Sequence, residues 1–167
     1  MPNARRTRTI AAPADELWRV VSDPHHLPRW WPRVTRVEDV RDDAFTEVMR
    51  TRRGKTVRAD FDMVHADASE RTVRWDQRVE GTPFAAVLSS SQTELRLVPI
   101  AQGTDGSAAA TEVTIELRQE ISGDPAAGAQ RRRGYGRLGF SWGARLVRRA
   151  ATATIDEALA GLERISV

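Results

Sequence analysis

The chain contains no cysteine, only three histidines and one tyrosine, and a single lysine, Lys55, among its 26 lysine and arginine residues. The absence of cysteine excludes disulfide bonds, a thiolate nucleophile and a cysteine-ligated metal. No apolar run approaches the length of a membrane span, and no apolar segment follows the arginines near the N-terminus. We therefore expect a cytoplasmic bacterial protein without a membrane span.

Motifs for metal binding and catalysis are scarce as well. His25 and His26 lie beside Pro24 in a predicted turn, and no histidine pair has the spacing of a metal site. No serine–histidine–aspartate order, phosphate-binding loop or dinucleotide-binding motif is present. We expect no metal and no cofactor, and we identify no catalytic set.

The region from Ile10 to Val34 is the most informative part of the sequence. A short strand over residues 7–11 meets Pro13, which suits the first turn of a helix. The apolar spacing predicts a helix over residues 14–21 and a second short helix over residues 25–30. The predicted order is a strand, two short helices and then further strands.

These residues resemble the opening of a known superfamily. The patterns Ile-x-Ala-Pro-x-x-x-Leu-Trp, Ser-Asp-Pro and Leu-Pro-x-Trp-x-Pro occur in this order. They resemble the START-like SRPBCC superfamily, specifically its polyketide cyclase/dehydrase-like branch. The resemblance implies an α+β helix-grip fold, in which a curved antiparallel sheet wraps around a long C-terminal helix and an apolar cavity lies between them. Members bind lipids, polyketides, quinones, hormones or aromatic compounds, and only some are enzymes, so the activity stays open.

Period-two alternation predicts the strands of this sheet. Residues 56–65, 71–80 and 111–121 alternate apolar and charged side chains, as expected for strands with one covered and one solvated face. Residues 45–52 and 87–98 are predicted strands too, and residues 54–55, 67–70 and 102–109 are predicted turns. The length suits a single domain over residues 1–167, and the resemblance implies that it is a ligand-binding domain.

A long helix over residues 144–165 is predicted to cover the sheet. Its apolar face is small in the middle, where Ala151, Thr154 and Ala158 lie. Small residues opposite a sheet indicate either a close approach of helix and sheet or space kept for a ligand, because packed interiors do not tolerate voids.

Inward alternation and this helix face together predict the residues of a ligand site. The polar members of the set are His65 and Gln77, since an inward imidazole or amide must find a partner. Gln119 also falls on an inward face, and Glu47 shares a face with Phe45 and Met49 unless its strand lies at a sheet edge. The predicted apolar members are Met49, Phe61, Met63, Trp75, Leu95, Leu97, Leu117, Ala151 and Ile155.

The second unusual feature is an arginine-rich segment over residues 131–149. Between Pro125 and Ile155 there are seven arginines and no acidic residue. Such a segment attracts phosphates, anionic lipid headgroups or nucleic acid, but it is also typical of a solvated helix face or of a mobile flap at a cavity mouth. No recognition-helix motif accompanies the charge, so we expect no sequence-specific nucleic-acid binding.

Three classes of function remain. The favoured one is a binding or carrier protein that holds a small hydrophobic molecule, polyketide-, lipid- or aromatic-like, between the sheet and the C-terminal helix. The second is an enzyme of the polyketide cyclase, aromatase or dehydratase kind. The resemblance does not match a catalytic arginine and tyrosine here, because the only tyrosine, Tyr135, falls outside the predicted strands. The third is an interaction module that acts through the arginine-rich segment, and a homodimer is possible in any class.

Overall fold

The alternating segments form one antiparallel sheet. In the computed structural model, which describes residues 3–100, 109–122 and 138–166, seven strands pair in the order β1-β7-β6-β5-β4-β3-β2. Every neighbouring pair is antiparallel. The strands are β1 (Asn3–Ile10), β2 (Val34–Glu38), β3 (Ala44–Arg50), β4 (Thr56–Asp67), β5 (Thr72–Gln77), β6 (Leu88–Ile100) and β7 (Ala110–Ile121).

Helices lie between β1 and β2 and after β7. Helix α1 (Ala14–Val21) is followed by a 3₁₀ turn (Pro24–His26) and by α2 (Leu27–Trp30). Asp23 begins the 3₁₀ turn, because its carboxylate accepts a hydrogen bond of 3.0 Å from the backbone N–H of His25. A second 3₁₀ turn (Pro83–Ala86) joins β5 to β6. The predicted α+β helix-grip architecture is confirmed.

The long C-terminal helix α3 (Leu138–Ile165) begins six residues before the predicted start at Ala144. Gly143 has low helix propensity, but the helix continues through it. None of the described helices combines the length and the apolar character that crossing a bilayer requires. Tyr135 and the predicted turn at residues 102–109, except its last residue, lie outside the described residues.

The outer face of the sheet carries its charges in pairs. Arg74 contacts Glu94 across β5 and β6, and Arg118 contacts Glu116 at 3.0 Å. The guanidinium of Arg78 holds the pKa of Asp62 below its usual range. These pairs are half-buried or exposed, and the alternating charges keep the outer face in contact with solvent while the apolar face turns inward.

The core occupies one half of the space between the sheet and α3. Helix α3 packs against β1, β7 and α2. Its side chains Ile155, Leu159 and Leu162 are fully buried, as are Val113 and Ile115 of β7. This end of the molecule is therefore filled by large apolar side chains.

A close backbone approach sets the position of α3 against α2. A Cβ atom added at Gly161 would lie 2.2 Å from the carbonyl oxygen of Trp30, far inside van der Waals contact. Only a residue without a side chain permits this approach. Trp30 itself is buried, so neither partner can move away without opening the core.

We expect the variant Gly161→Ala to be destabilised by about 1–3 kcal/mol, as is typical of overpacked sites, although alanine normally favours a helix. Gly143→Ala is the matched control, since its Cβ meets no described atom within 4 Å. The control should be neutral or stabilised by up to about 1 kcal/mol. Urea unfolding followed by circular dichroism measures both. Equal stability of the two variants would contradict the close approach.

Candidate functional site

A pocket lies between the inner face of the sheet and the middle of α3. Its volume is about 540 Å³, and the turn Pro83–Ala86 and Trp31 complete its wall. The walls are mostly apolar. Six of the predicted site residues line it: Met49, Phe61, Trp75, Gln77, Leu117 and Ala151.

The roof of the pocket consists of small residues on α3. Ala150, Ala151 and Thr154 face it together with Val147. Toward the C-terminal end of the same helix, the larger Leu159 and Leu162 fill the space completely. The small residues thus lie over open space in the pocket half, whereas Ala158 is fully buried in the packed half.

Three predicted lining residues belong instead to the packed core. Leu95, Leu97 and Ile155 are fully buried, and none of them lines the pocket. Leu95 pairs with Ile115 and Leu97 with Val113, under the filled half of α3. Alternation correctly predicted that these side chains face inward. It carries no information on which part of the inner face is packed against α3 and which part lines the pocket.

His65 does not face inward, which corrects the expectation drawn from alternation. A β-bulge shifts the pairing of β4 with β5 between Met63 and His65, so that His65 pairs with Arg74 and its side chain is exposed. A bulge adds one residue to one strand and therefore reverses the facing of the residues beyond it. Met63 is partly buried against the core and does not line the pocket.

A buried carboxyl group is the most unusual feature of the pocket wall. Glu47 of β3 is 2% exposed, and no described residue forms a hydrogen bond or an ion pair with it. Burial raises the pKa of Glu47 to about 8 from its usual 4.5. At neutral pH the group is therefore mostly an uncharged carboxylic acid.

The position of β3 explains this burial. Glu47 pairs with Val37 of β2 on one side and with Ala59 of β4 on the other, so its strand is not the sheet edge. The sequence left this open, because the number of strands beyond β3 was unknown. The signal for Glu47 was its place between Phe45 and Met49, which both face the interior.

Further polar groups line the pocket near one end. The Nε2 atom of Gln77 is buried and has no hydrogen-bond partner among the described residues. Gln119, also predicted to face inward, donates a hydrogen bond of 3.3 Å from Nε2 to the hydroxyl of Ser91. Ser91 was not predicted, because the run of serines in β6 hides the alternation.

The chemistry available to this pocket follows from these groups. The described residues hold no cluster of histidine, aspartate and glutamate that could bind a metal. Apolar walls with a few inward hydrogen-bonding groups are typical of sites for small molecules. Glu47, with a pKa near the neutral range, could also donate or accept a proton.

Part of the arginine-rich segment lies on the outer side of α3. Arg145, Arg148 and Arg149 are exposed and line an open groove with Arg6 and Asp156. The residues 131–137 lie outside the described residues. The three described arginines thus point away from the pocket that lies on the opposite side of their helix.

The raised pKa of Glu47 makes a prediction about stability and pH. Between pH 4.5 and about 8 the folded protein keeps a proton on Glu47 that the unfolded chain loses. The contribution of Glu47 to the free energy of unfolding therefore falls as the pH rises through this window. Across this window the free energy of unfolding of the wild type should fall by on the order of 4 kcal/mol, and Glu47→Gln should abolish this decrease. Urea unfolding at several pH values measures the difference. Glu112→Gln, at an exposed site of β7, is the control and should match the wild type.

Solved structures show the same fold at low sequence identity. A START superfamily protein from Mycobacterium smegmatis is 15% identical with a TM-score of 0.68, and the match covers 98% of this chain and 96% of that one. The Zhui aromatase/cyclase from Streptomyces sp. R1128 is 17% identical with a TM-score of 0.65, with coverage of 98% and 92%. The di-domain ARO/CYC protein BexL of the BE-7585A biosynthetic pathway is 21% identical with a TM-score of 0.71. The match covers 98% of this chain but only 46% of BexL, so the chain spans about half its length.

The family comparison covers nearly the whole sequence. No curated protein matches the chain significantly. The family model for polyketide cyclase/dehydrase and lipid transport matches residues 1–166. This confirms the resemblance carried by the motifs between Ile10 and Pro32. The chain therefore belongs to the polyketide cyclase/dehydrase and lipid transport family.

Proposed function

We propose that the protein binds a small hydrophobic molecule, polyketide-, lipid- or aromatic-like, in the pocket between the sheet and α3. The observation that carries this proposal is the pocket itself, with apolar walls from Met49, Phe61, Trp75 and Leu117. Its volume of about 540 Å³ lies within the range of sites for small ligands. Aromatic and thioether side chains suit a flat or flexible apolar ligand.

The small residues of α3 are better explained by a bound ligand than by direct packing of the helix on the sheet. A core without a ligand gains energy from each void it fills, and leucine at Ala151 or Thr154 would fill space with little loss of helix propensity. The same helix does carry large residues at Leu159 and Leu162, where it packs directly. We interpret the contrast as space retained for a binding function.

The remaining expectations belong to this proposal. Residues 1–167 act as one ligand-binding domain, in the cytoplasm, with a small hydrophobic molecule as partner and no cofactor. A homodimer stays a prediction. The family, which joins cyclases and dehydrases with lipid transport proteins, is compatible with a carrier.

The exposed arginines of α3 are the basis of the competing hypothesis, in which the protein is an interaction module. Arg145, Arg148 and Arg149 provide a local positive field, which favours anionic partners without reading their sequence. Native mass spectrometry of freshly purified protein separates the classes. A retained small molecule supports a carrier or an enzyme, whereas retained nucleic acid supports the interaction module.

Glu47 favours a second candidate function, an enzyme of the cyclase, aromatase or dehydratase type. Some structures of the same fold are described as aromatase/cyclases. A carboxyl group with a pKa of about 8 is suited to proton transfer near neutral pH.

A simple exchange reaction tests this candidate. In D₂O near pH 8, the carboxylate of Glu47 would take a proton from the methyl carbon next to the carbonyl of acetylnaphthalene and leave an enolate. The proton on Glu47 exchanges with D₂O, and the carboxyl group then returns a deuteron to that carbon. We expect wild-type protein to accelerate this exchange, followed by proton NMR, and Glu47→Gln to lose the acceleration. Exchange that is equal with Glu47→Gln, Glu112→Gln and no protein would remove the enzyme candidate and leave the carrier.

Binding in the pocket is tested by filling it. Ala151→Trp places an indole under the roof, so we expect the affinity for the apolar fluorescent probe N-phenylnaphthylamine to fall at least about tenfold, with an unchanged far-ultraviolet spectrum. Val147→Trp, about one helical turn before Ala151, should also weaken binding. Fluorescence titration measures both.

The control for this experiment is Ala160→Trp, which adds the same side chain at an exposed position of α3. It should bind the probe like the wild type. Unchanged binding in folded Ala151→Trp and Val147→Trp proteins would place the probe elsewhere and contradict the proposed site.

A further inference from the structure

Two polar groups in the pocket wall have no hydrogen-bond partner among the described residues. They are the carboxyl group of Glu47, which is 2% exposed, and the buried Nε2 atom of Gln77. A buried polar group without a partner is destabilising, and such groups are rare in folded proteins. Their presence in one pocket with otherwise apolar walls indicates a ligand whose polar atoms supply the missing hydrogen-bond partners.

Strand register places the two groups on either side of β4. Glu47 pairs with Ala59, and Gln77 pairs with Phe61, two residues further along the same face of β4. Strands β3 and β5 are separated by β4 and so lie roughly 10 Å apart. Each side chain spans part of this distance. Both side chains line the same pocket, so one ligand bound there can contact both groups.

The charge state of Glu47 follows from its surroundings. On the neighbouring strands it is flanked by Val37, Ala59 and Phe61. The pocket residues contributed by α3 and by the segment around the turn Pro83–Ala86 are uncharged, and Glu47 is the single titratable group among the described pocket residues. Nothing described there offsets the desolvation of a carboxylate, which is why the pKa rises to about 8.

A neutral carboxylic acid offers one O–H donor, and the free amide of Gln77 offers N–H donors. Both are therefore suited to an oxygen that accepts hydrogen bonds. A ligand carboxylate would be disfavoured, because no described pocket residue is a cation that could offset its burial. Above the pKa the carboxylate of Glu47 loses its donor and repels an acceptor oxygen.

From this arrangement we propose that Glu47 and Gln77 together select ligands whose buried end carries an uncharged carbonyl oxygen, and that deprotonation of Glu47 weakens their binding. The inference rests on the proposed binding function and adds the chemical class of the ligand. It does not require that any reaction takes place.

Three probes with one skeleton test the selection: ethylnaphthalene without oxygen, acetylnaphthalene with a ketone, and naphthoate with a carboxylate. Their affinities are measured by displacement of N-phenylnaphthylamine. Near pH 6 we expect the ketone to bind roughly five- to tenfold more tightly than ethylnaphthalene, and naphthoate more weakly than both. The advantage of the ketone should disappear above about pH 9, while the affinity for ethylnaphthalene stays constant.

Variants assign the effect to the two residues. Glu47→Gln keeps an N–H donor without a titratable proton, so the advantage of the ketone should persist at high pH. Glu47→Leu should abolish it at every pH, and Gln77→Leu should reduce it, with binding of ethylnaphthalene retained in both. His65→Gln changes an exposed titratable residue of β4 outside the pocket and should leave the pH profile unchanged.

The outcomes separate this inference from the proposed function. If no naphthalene probe displaces N-phenylnaphthylamine, or that probe does not bind, both proposals fail. If all probes bind alike, or the ketone advantage is independent of pH and of Glu47, only the inference fails. Naphthylmethylamine serves as a competing test, because tighter binding of this amine as pH approaches about 8 would show that Glu47 pairs with a cation instead.

Discussion

The unequal packing of α3 along its length determines where this molecule has free space. At its C-terminal end, the carbonyl of Trp30 meets the backbone at Gly161, and Leu162 lies fully buried beside it. That contact holds the helix close to α2 and to the sheet. In its middle the helix presents Ala151 and Thr154, whose short side chains leave the pocket open there. The position of α3 therefore accounts both for the close packing at its C-terminal end and for its separation from the sheet over the pocket.

The pocket also carries an energetic cost. An interior that keeps about 540 Å³ open forgoes the contacts that larger side chains would make. The buried carboxyl group of Glu47 adds the desolvation of a group that no described residue stabilises. Natural proteins retain such features at functional sites more often than elsewhere, because binding and chemistry need groups that the fold itself does not satisfy. The ion pairs on the outer face, by contrast, are complete within the protein.

The individual site residues show which features of the pocket the alternation of apolar and polar residues can predict. It identified Met49, Phe61 and Gln77 as inward-facing, because a strand without irregularities keeps strict period two. It failed at His65, since the bulge beside Met63 changes the phase and no residue type in the sequence marks it. For Leu95 and Leu97 the direction was right, but their place in the filled half of the core depends on α3.

The sequence by itself determined the helices after the first strand, most of the strands and the long covering helix, because these follow from local periodicity and from Pro13, Pro24 and Pro32 at element boundaries. The class of fold followed from the family resemblance of the motifs in residues 10–34. The motifs of the same region also placed the chain in its family. Only the tertiary structure decided that Glu47 is buried between its neighbours β2 and β4, and that Gln77 keeps an unpaired donor in the same pocket. The physical reason is that burial and hydrogen bonding of a side chain depend on strands and helices distant in sequence, which local patterns do not describe.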